Sequence, residues 1–142
     1  MVTRRPRRWR DRGAAAVEFA LLVGPLVMLI FGSIEFGLAV QAKTMLENSA
    51  REGVRMASLV GGSDGSIAVQ EVKDTVTHAL SSVPGLVVDQ GKILVTCTPS
   101  PCVMGTAKAG TVATVKVTVQ YTGVTGFLPK ATLTASSTMR IE

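Results

Sequence analysis

The chain has few of the side chains that catalysis and metal binding require. It contains one histidine, His78, and two cysteines, Cys97 and Cys102. No serine or cysteine has a base and an orienting carboxylate near it in the sequence pattern, and two thiols without a nearby histidine make a poor metal site. The glycines of 61–65 lack phosphate-loop spacing, because no lysine followed by serine or threonine comes after them. The sequence therefore predicts a protein that is not an enzyme and holds no metal or cofactor.

The chain carries no net charge outside residues 1–13. Residues 1–13 hold six arginines and one aspartate, which gives +5, the formal charge of the whole chain. Residues 14–142 therefore contain equal numbers of basic and acidic side chains. The high isoelectric point belongs to this leader, and the remainder offers no basic face for nucleic acid.

A long apolar run follows the leader. It extends from Ala14 to Ile34, and Glu18 is its one charged residue. As a helix these 21 residues measure about 31 Å, close to the thickness of a bilayer core. Gly24-Pro25 predicts a kink or local melting within it. Because flanking arginines favour the cytoplasmic side, we expect a single-pass protein of the cytoplasmic membrane with its N-terminus inside and its C-terminal part outside.

Two carboxylates of this helix are candidate functional residues. A charge within a membrane span costs about 2.5–3.5 kcal/mol on insertion scales, so Glu18 is a functional candidate by default. Glu35 follows the run directly and is the second carboxylate of the predicted membrane helix.

Other interpretations of the N-terminus stay open. A secretory signal cut after Ala42 would have an apolar region far longer than the usual length of about 7–15 residues, and it would carry both carboxylates. The Arg4-Arg5 pair resembles a twin-arginine signal, but Pro6 follows it instead of an apolar pair. In a plain single-pass anchor, Glu18 would be incidental.

The helix is expected to continue beyond the membrane with one buried face. Small and apolar side chains recur there every three or four residues, which predicts a narrow packed face. The opposite side carries charges at i, i+4 spacing, including Glu47 and Arg51, and is predicted to face solvent. Glycines in 61–65 end the helix. The predicted buried face consists of Ala42, Leu46, Ser49, Ala50, Gly53, Val54, Ala57 and Val60.

The rest of the chain predicts a small α+β domain. A helix with one apolar face ends at Pro84-Gly85. Three runs typical of strands follow at 92–98, 112–121 and 131–141, the last two with period-two alternation that indicates an antiparallel pair. The predicted inward residues of the helix are Val69, Val72, Val76, Ala79, Leu80 and Val83, and those of the last two strands are Val115, Val117, Val119, Tyr121, Leu133, Ala135, Met139 and Ile141.

The predicted organisation therefore has three parts. Residues 1–13 form a basic leader, and residues 14–61 form a long helix that spans the membrane in its first half. Residues 62–142 form an extracytoplasmic α+β domain with one helix and an antiparallel sheet of about three strands. His78, within the predicted second helix, is interpreted as a partly buried surface residue.

Cys97 and Cys102 flank a loop that contains two prolines. Outside the cytoplasm such a pair favours a disulfide that closes a small loop. In the loop-entropy description it would contribute about 2–3 kcal/mol to stability. The spacing is not that of a redox motif.

Three segments, taken together, carry a family resemblance. They are Gly13–Ala20 (GAAAVEFA), Phe31–Gly37 (FGSIEFG) and Asn48–Arg55 (NSAREGVR). They resemble the TadE-like proteins, pilin-like subunits associated with tight-adherence (Tad, or Flp-type) pilus systems. Leu133–Arg140 is similar to a closing strand common in that family, which is a weaker signal.

The resemblance implies processing of the N-terminus and a role for Glu18. The bond between Gly13 and Ala14 would be cut by a prepilin peptidase, which makes Glu18 the fifth residue of the mature chain. The carboxylate would then pair with the α-amino group of a neighbouring subunit and favour one axial register.

The implied function is that of a minor pilin or pseudopilin in Tad pilus assembly. Its partners would be the peptidase, other pilin-like subunits, the assembly machinery and membrane lipid. The alternative is a single-pass, membrane-tethered binding domain that never polymerises and in which Gly13 is incidental.

Overall fold

The structure is a computed structural model that describes residues 8–59, 65–98, 111–124, 126 and 129–140. Two helices precede a four-stranded antiparallel sheet, so the α+β prediction is confirmed. The helices are α1 (Arg8–Leu59) and α2 (Gly65–Leu80). The strands are β1 (Leu86–Val87), β2 (Ile93–Thr98), β3 (Val112–Tyr121) and β4 (Ala131–Arg140), with a 3-10 turn at Gln90–Lys92 between β1 and β2.

The chain divides into two compact units between Ile34 and Glu35. In the first unit, the large apolar side chains after Gly13 are exposed around the helix. A helix that is apolar on all sides needs either lipid or other helices around it. Within the described residues, α1 is the one helix long and apolar enough to cross a membrane.

Helix α1 is continuous through Pro25, where the sequence predicted a kink or melting. It also begins at Arg8, inside the basic leader, although the predicted helix started at Ala14. Near the end of the first unit, Ser33 Oγ donates a hydrogen bond of 2.8 Å to the carbonyl of Leu29 one turn earlier. Such a bond satisfies the hydroxyl within the helix itself, which suits an apolar environment.

The core of the second unit lies where α1 and α2 cover one face of the sheet. The predicted face of α1 is confirmed from Ala42 to Ala57, and Val60 lies outside the described residues. At Gly53 the elements approach so closely that an added Cβ would lie 2.7 Å from Val76 Cγ2 and 3.4 Å from Val115 Cγ1. The spacing of small residues on α1 therefore permits its close contact with both α2 and β3.

Strand β3 is the centre of the sheet. It pairs with β4 along its whole length, from Val112↔Arg140 to Tyr121↔Ala131. Along its other edge, the part of β3 from Val112 to Val117 pairs with β2, and its last two residues pair with β1, where Leu86 lies opposite Tyr121. The 3-10 turn between β1 and β2 is held by Asp89, whose Oδ1 accepts a 2.8 Å hydrogen bond from the Gly91 N–H.

The alternation of β3 is confirmed, but three other predictions of burial were wrong. On β3, the odd-numbered side chains from Ala113 to Tyr121 are buried. Ala79 and His78 of α2 are exposed. Met139 is 40% exposed because β4 is the outer strand beyond β3, and of its side chains Ala135 alone is buried. Ile141 lies outside the described residues.

Candidate functional site

The predicted processing site lies within α1, in the first unit. Gly13 and Ala14 are exposed, and no atom lies within 4 Å of the position where a Cβ on Gly13 would stand. The bond between them is in the helix and not at its end, because α1 begins at Arg8. Glycine lowers helix stability by about 1 kcal/mol relative to alanine, so Gly13 weakens the helix locally.

Glu18 lies one turn after Ala14 on the same helix and is exposed. Its neighbours are apolar and also exposed, with Phe19 at 69% and Leu22 at 73%. Within the described part of the chain, Glu18 has neither a hydrogen-bond partner nor an ion-pair partner. Its carboxylate is therefore free to accept a partner from another molecule.

Glu35 has a quite different environment. It is the first residue of the second unit, and its side chain is fully buried. Its Oε1 accepts a 2.8 Å hydrogen bond from the backbone N–H of Val124 and a longer one, 3.4 Å, from the hydroxyl of Tyr121. Since the chain segment after β3 begins at Thr122, this carboxylate fixes the start of the β3–β4 loop against α1.

A second contact also holds the start of this loop. The N–H and the hydroxyl of Thr122 both donate to the carbonyl of Gly85, at 2.8 and 3.1 Å. Gly85 has a φ of +74°, and a Cβ there would lie 3.3 Å from Tyr121 Cε2. This position therefore requires glycine both for its backbone conformation and for the space that the tyrosine ring occupies.

The pKa of Tyr121 is raised above its ordinary value of 10.0. Burial of the phenol is the main cause, and the negative charge of Glu35 and the hydrogen bond to it add to the effect. All three disfavour the phenolate, so the hydroxyl stays a donor to the carboxylate over the physiological pH range.

Sequence reasoning did not find this arrangement. It placed Glu35 on the long helix, where it lies in α1, but did not predict its contacts with Tyr121 and Val124, which are 86 and 89 residues later. The one signal in the sequence was a carboxylate between two apolar residues, Ile34 and Phe36. The same pattern surrounds Glu18, which is exposed, so it does not by itself indicate a buried contact or identify a partner.

The remaining predicted site residues have simpler positions. Cys97 is buried in β2, whereas Cys102 lies outside the described residues, so their pairing stays a prediction. Across the ranges that the structure describes, no three acidic, histidine or cysteine side chains come together as a metal site would need.

Helix α1 thus joins a carboxylate-bearing apolar segment to the core of a small domain. Residues 13–55 match the family model of TadE-like proteins. The resemblance found in the sequence is confirmed over this stretch, which contains Gly13, Glu18, Glu35 and the buried face of α1 up to Val54. The match covers less than half of the chain and includes none of the sheet. Neither the curated proteins nor the solved structures include a significant match.

Proposed function

We propose that this protein is a TadE-like, pilin-like subunit of a Tad pilus system, a minor pilin or pseudopilin with a structural and not a catalytic role. The observation that carries the proposal is the family match over residues 13–55, on a helix whose first part exposes apolar side chains on all sides. Before assembly, this part of α1 anchors the subunit in the cytoplasmic membrane, with the leader inside and the α+β domain outside.

Assembly then requires α1 to exchange lipid for the helices of other subunits. The exchange is feasible because one apolar surface replaces another, so little hydrophobic free energy is lost. Small residues at the start of the helix, Ala14–Ala16 and Ala20, permit close approach of a neighbouring helix. The exposed apolar surface of residues 14–34 is therefore the proposed contact between subunits.

Glu18 supplies the axial register of that contact. Cleavage after Gly13 creates an α-amino group at Ala14, one helical turn from the carboxylate. In an apolar environment, a charged pair between neighbouring subunits favours one register, because a shift of either helix leaves both charges unpaired. Processing is therefore a precondition of the register, since the uncut chain has no amino group at this position.

The N-terminus of the protein recovered from membranes tests this proposal. Mass spectrometry is expected to give a mature chain that begins at Ala14. A chain that keeps its arginine-rich leader would favour the non-polymerising tether, and one that begins at Lys43 would favour a secreted domain.

A matched pair of variants isolates the recognition of Gly13. Gly13→Ala and Gly24→Ala make the same change on the same helix, and neither Cβ would meet an atom within 4 Å. Both variants should therefore insert equally well. We expect Gly13→Ala to accumulate with its leader and Gly24→Ala to be processed normally. Equal processing of the two would contradict a cleavage site after Gly13.

A further inference from the structure

The side of the sheet that faces away from α1 and α2, called the open face below, forms one continuous surface. The two helices pack on the odd-numbered side chains of β3, so its even-numbered side chains point to the open face, where they are exposed or half-buried. Both β2 and β4 pair with β3 in unbroken register. Side chains that lie opposite one another on these three strands therefore share the same face.

Hydroxyl groups dominate the open face. The register places Thr96, Thr114 and Thr138 in one row across β2, β3 and β4. Two rows further along the same face, Thr118 lies opposite Thr134. A hydroxyl group both donates and accepts hydrogen bonds, so these rows suit a ligand that presents hydroxyl groups along its length.

Two cations of the open face belong to the strands. Lys116 is exposed near the centre of β3, opposite Ser136. Arg140 is exposed on β4 and pairs with Val112, which is four residues, or about 13 Å, from Lys116 along β3. The four described strands contain no acidic residue. A ligand carboxylate on this surface would therefore meet positive charge without competition from an acid of the strands.

A cavity at the margin of the open face adds a third cation. Its volume is about 140 Å³, and it lies between β3, which contributes Thr118 and Gln120, and the 3-10 turn, which contributes Lys92 and the preceding Asp89. The Oδ1 of Asp89 already accepts the 2.8 Å hydrogen bond from the Gly91 N–H. The ammonium, amide and hydroxyl groups of the other three side chains can donate hydrogen bonds to hydroxyl and carboxylate oxygens.

We propose that the open face binds an acidic polysaccharide. Uronic acid carboxylates of the polymer pair with Lys92, Lys116 and Arg140, and its hydroxyl groups bond to the rows of threonine and serine. Strands β3 and β4 are each about 30 Å long, so an extended chain makes many weak contacts at once, and these reinforce one another. The inference goes beyond the proposed function, because it gives the outer domain a ligand whether or not the subunit polymerises.

Nucleic acid, another extended polyanion, fits the open face less well. Proteins that bind single strands stack the bases on aromatic side chains. Tyr121 is the one aromatic residue of the described strands, and it is buried on the helix side of the sheet. Binding to a duplex depends on many phosphate contacts, whereas the open face and its cavity offer three cations separated by uncharged side chains.

Binding to immobilised polysaccharides tests the proposal, with the full-length chain in detergent micelles and biolayer interferometry as the measurement. Alginate, a polymer of uronic acids, is compared with dextran, which is neutral. The basic leader would attract any polyanion, so every protein tested carries glutamine in place of its six arginines, Arg4, Arg5, Arg7, Arg8, Arg10 and Arg12. We expect this parent protein to bind alginate much more tightly than dextran.

A matched pair of lysine variants locates the site. Lys116→Gln and Lys73→Gln make the same change, but Lys73 lies on α2, on the other side of the sheet. We expect Lys116→Gln to lose about fivefold in affinity for alginate, the scale of one exposed charged contact, and Lys73→Gln to bind as the parent does. Thr118→Val keeps the charge of the open face and removes one hydroxyl, and it should also weaken binding to alginate.

Several results would overturn the proposal. A parent protein that does not bind alginate, or binds dextran equally well, would refute it, and so would equal binding by Lys116→Gln and Lys73→Gln. Double-stranded DNA that binds as tightly as alginate, with Thr118→Val at the parent affinity, would show a general attraction of polyanions instead. None of these results depends on where the mature chain begins, so this inference and the proposed function fail separately.

Discussion

The carboxylate of Glu35 and the backbone N–H of Val124 form a hydrogen bond of 2.8 Å across 89 positions of the chain. It joins α1, where that helix enters the second unit, to the segment that leaves the central strand of the sheet. A bond from a backbone donor to a carboxylate is stronger than one between neutral groups. Burial of the carboxylate makes the loss of either partner costly, because the group left behind is out of reach of water.

Replacing Glu35 should therefore destabilise the outer domain. Glu35→Ala leaves the Val124 N–H and the Tyr121 hydroxyl without this acceptor, and we expect the free energy of unfolding to fall by about 2–4 kcal/mol. Glu35→Gln keeps an acceptor of nearly the same shape and should cost about 1 kcal/mol. Denaturant unfolding of the full chain in detergent micelles, followed by the near-UV circular dichroism of Tyr121, measures both.

An exposed glutamate of the same helix is the control for Glu35. Glu47 is 3.3 Å from Lys43 in an exposed i, i+4 pair, so Glu47→Ala should change the free energy of unfolding by less than about 0.5 kcal/mol. Faster hydrogen exchange of the Val124 amide in Glu35→Ala, but not in Glu47→Ala, would show that the loop itself is released. Unfolding curves of Glu35→Ala and the natural protein that coincide would refute the role of this bond.

The raised pKa of Tyr121 predicts a loss of stability at alkaline pH. Below the ordinary value of 10.0, the phenol is protonated in both the folded and the unfolded chain, so it adds no pH dependence. Above that value, the unfolded chain releases the proton first, because burial and Glu35 hold the pKa of the folded phenol higher. The free energy of unfolding should therefore fall as the pH rises from the ordinary pKa through the raised one.

Tyr121→Phe separates this effect from the deprotonation of lysines. Phenylalanine cannot titrate, so the variant should lose less stability between pH 9 and about pH 12 than the natural protein does, even if it is less stable at neutral pH. Denaturant unfolding of both proteins at each pH gives the comparison. Parallel pH profiles for the two proteins would mean that the phenol does not titrate differently in the folded state.

Gly53 and Gly37 provide a matched test of the packing between α1, α2 and β3. A Cβ on Gly53 would lie 2.7 Å from Val76 Cγ2, whereas a Cβ on Gly37 would meet no atom within 4 Å. Alanine adds about 1 kcal/mol of helix propensity at both positions, but overpacking costs about 1–3 kcal/mol at Gly53 alone. Thermal unfolding should therefore show Gly37→Ala as stabilised and Gly53→Ala as destabilised. Equal shifts in Tm would contradict the close packing at Gly53.

Periodicity was sufficient to predict much of this fold. The small residues from Ala42 to Ala57 recur at helical spacing, and the apolar residues of β3 alternate, so each pattern specified its own buried face. Alternation states which side of a strand a residue is on, but not whether another element covers that side. Met139 illustrates the difference. It lies on the same side of β4 as the buried Ala135 and is nevertheless 40% exposed.

The Glu35 contact could not be predicted because it depends on tertiary structure. Its partners are a backbone N–H, which has no sequence signal, and the tyrosine at the end of β3. Strand β1 was missed for a different reason, because its two residues are too few to show any period. Gly13, Ala14 and Glu18 were proposed as site residues from a local motif, which does not depend on the fold of the second unit.

The register role proposed for Glu18 leads to the sharpest test of subunit assembly. Glu18→Gln keeps the size of the side chain and removes its charge, so the α-amino group of a neighbouring subunit would lie in an apolar contact without a counter-charge. Removing one partner of a buried ion pair costs about 3–5 kcal/mol, which corresponds to a loss of about a hundredfold or more in the assembly equilibrium. Processing should be unchanged, because the bond between Gly13 and Ala14 is intact.

The measurement compares the processed subunit in membranes with the subunit in sheared surface material, by immunoblot. Glu47→Ala, which removes an exposed charge from the same helix, serves as the control and should assemble normally. A Glu18→Gln subunit that is processed and also assembles at the natural level would show that the carboxylate does not set the register. A subunit that accumulates uncut would place Glu18 in peptidase recognition instead, because the α-amino group it is proposed to bind would then never form.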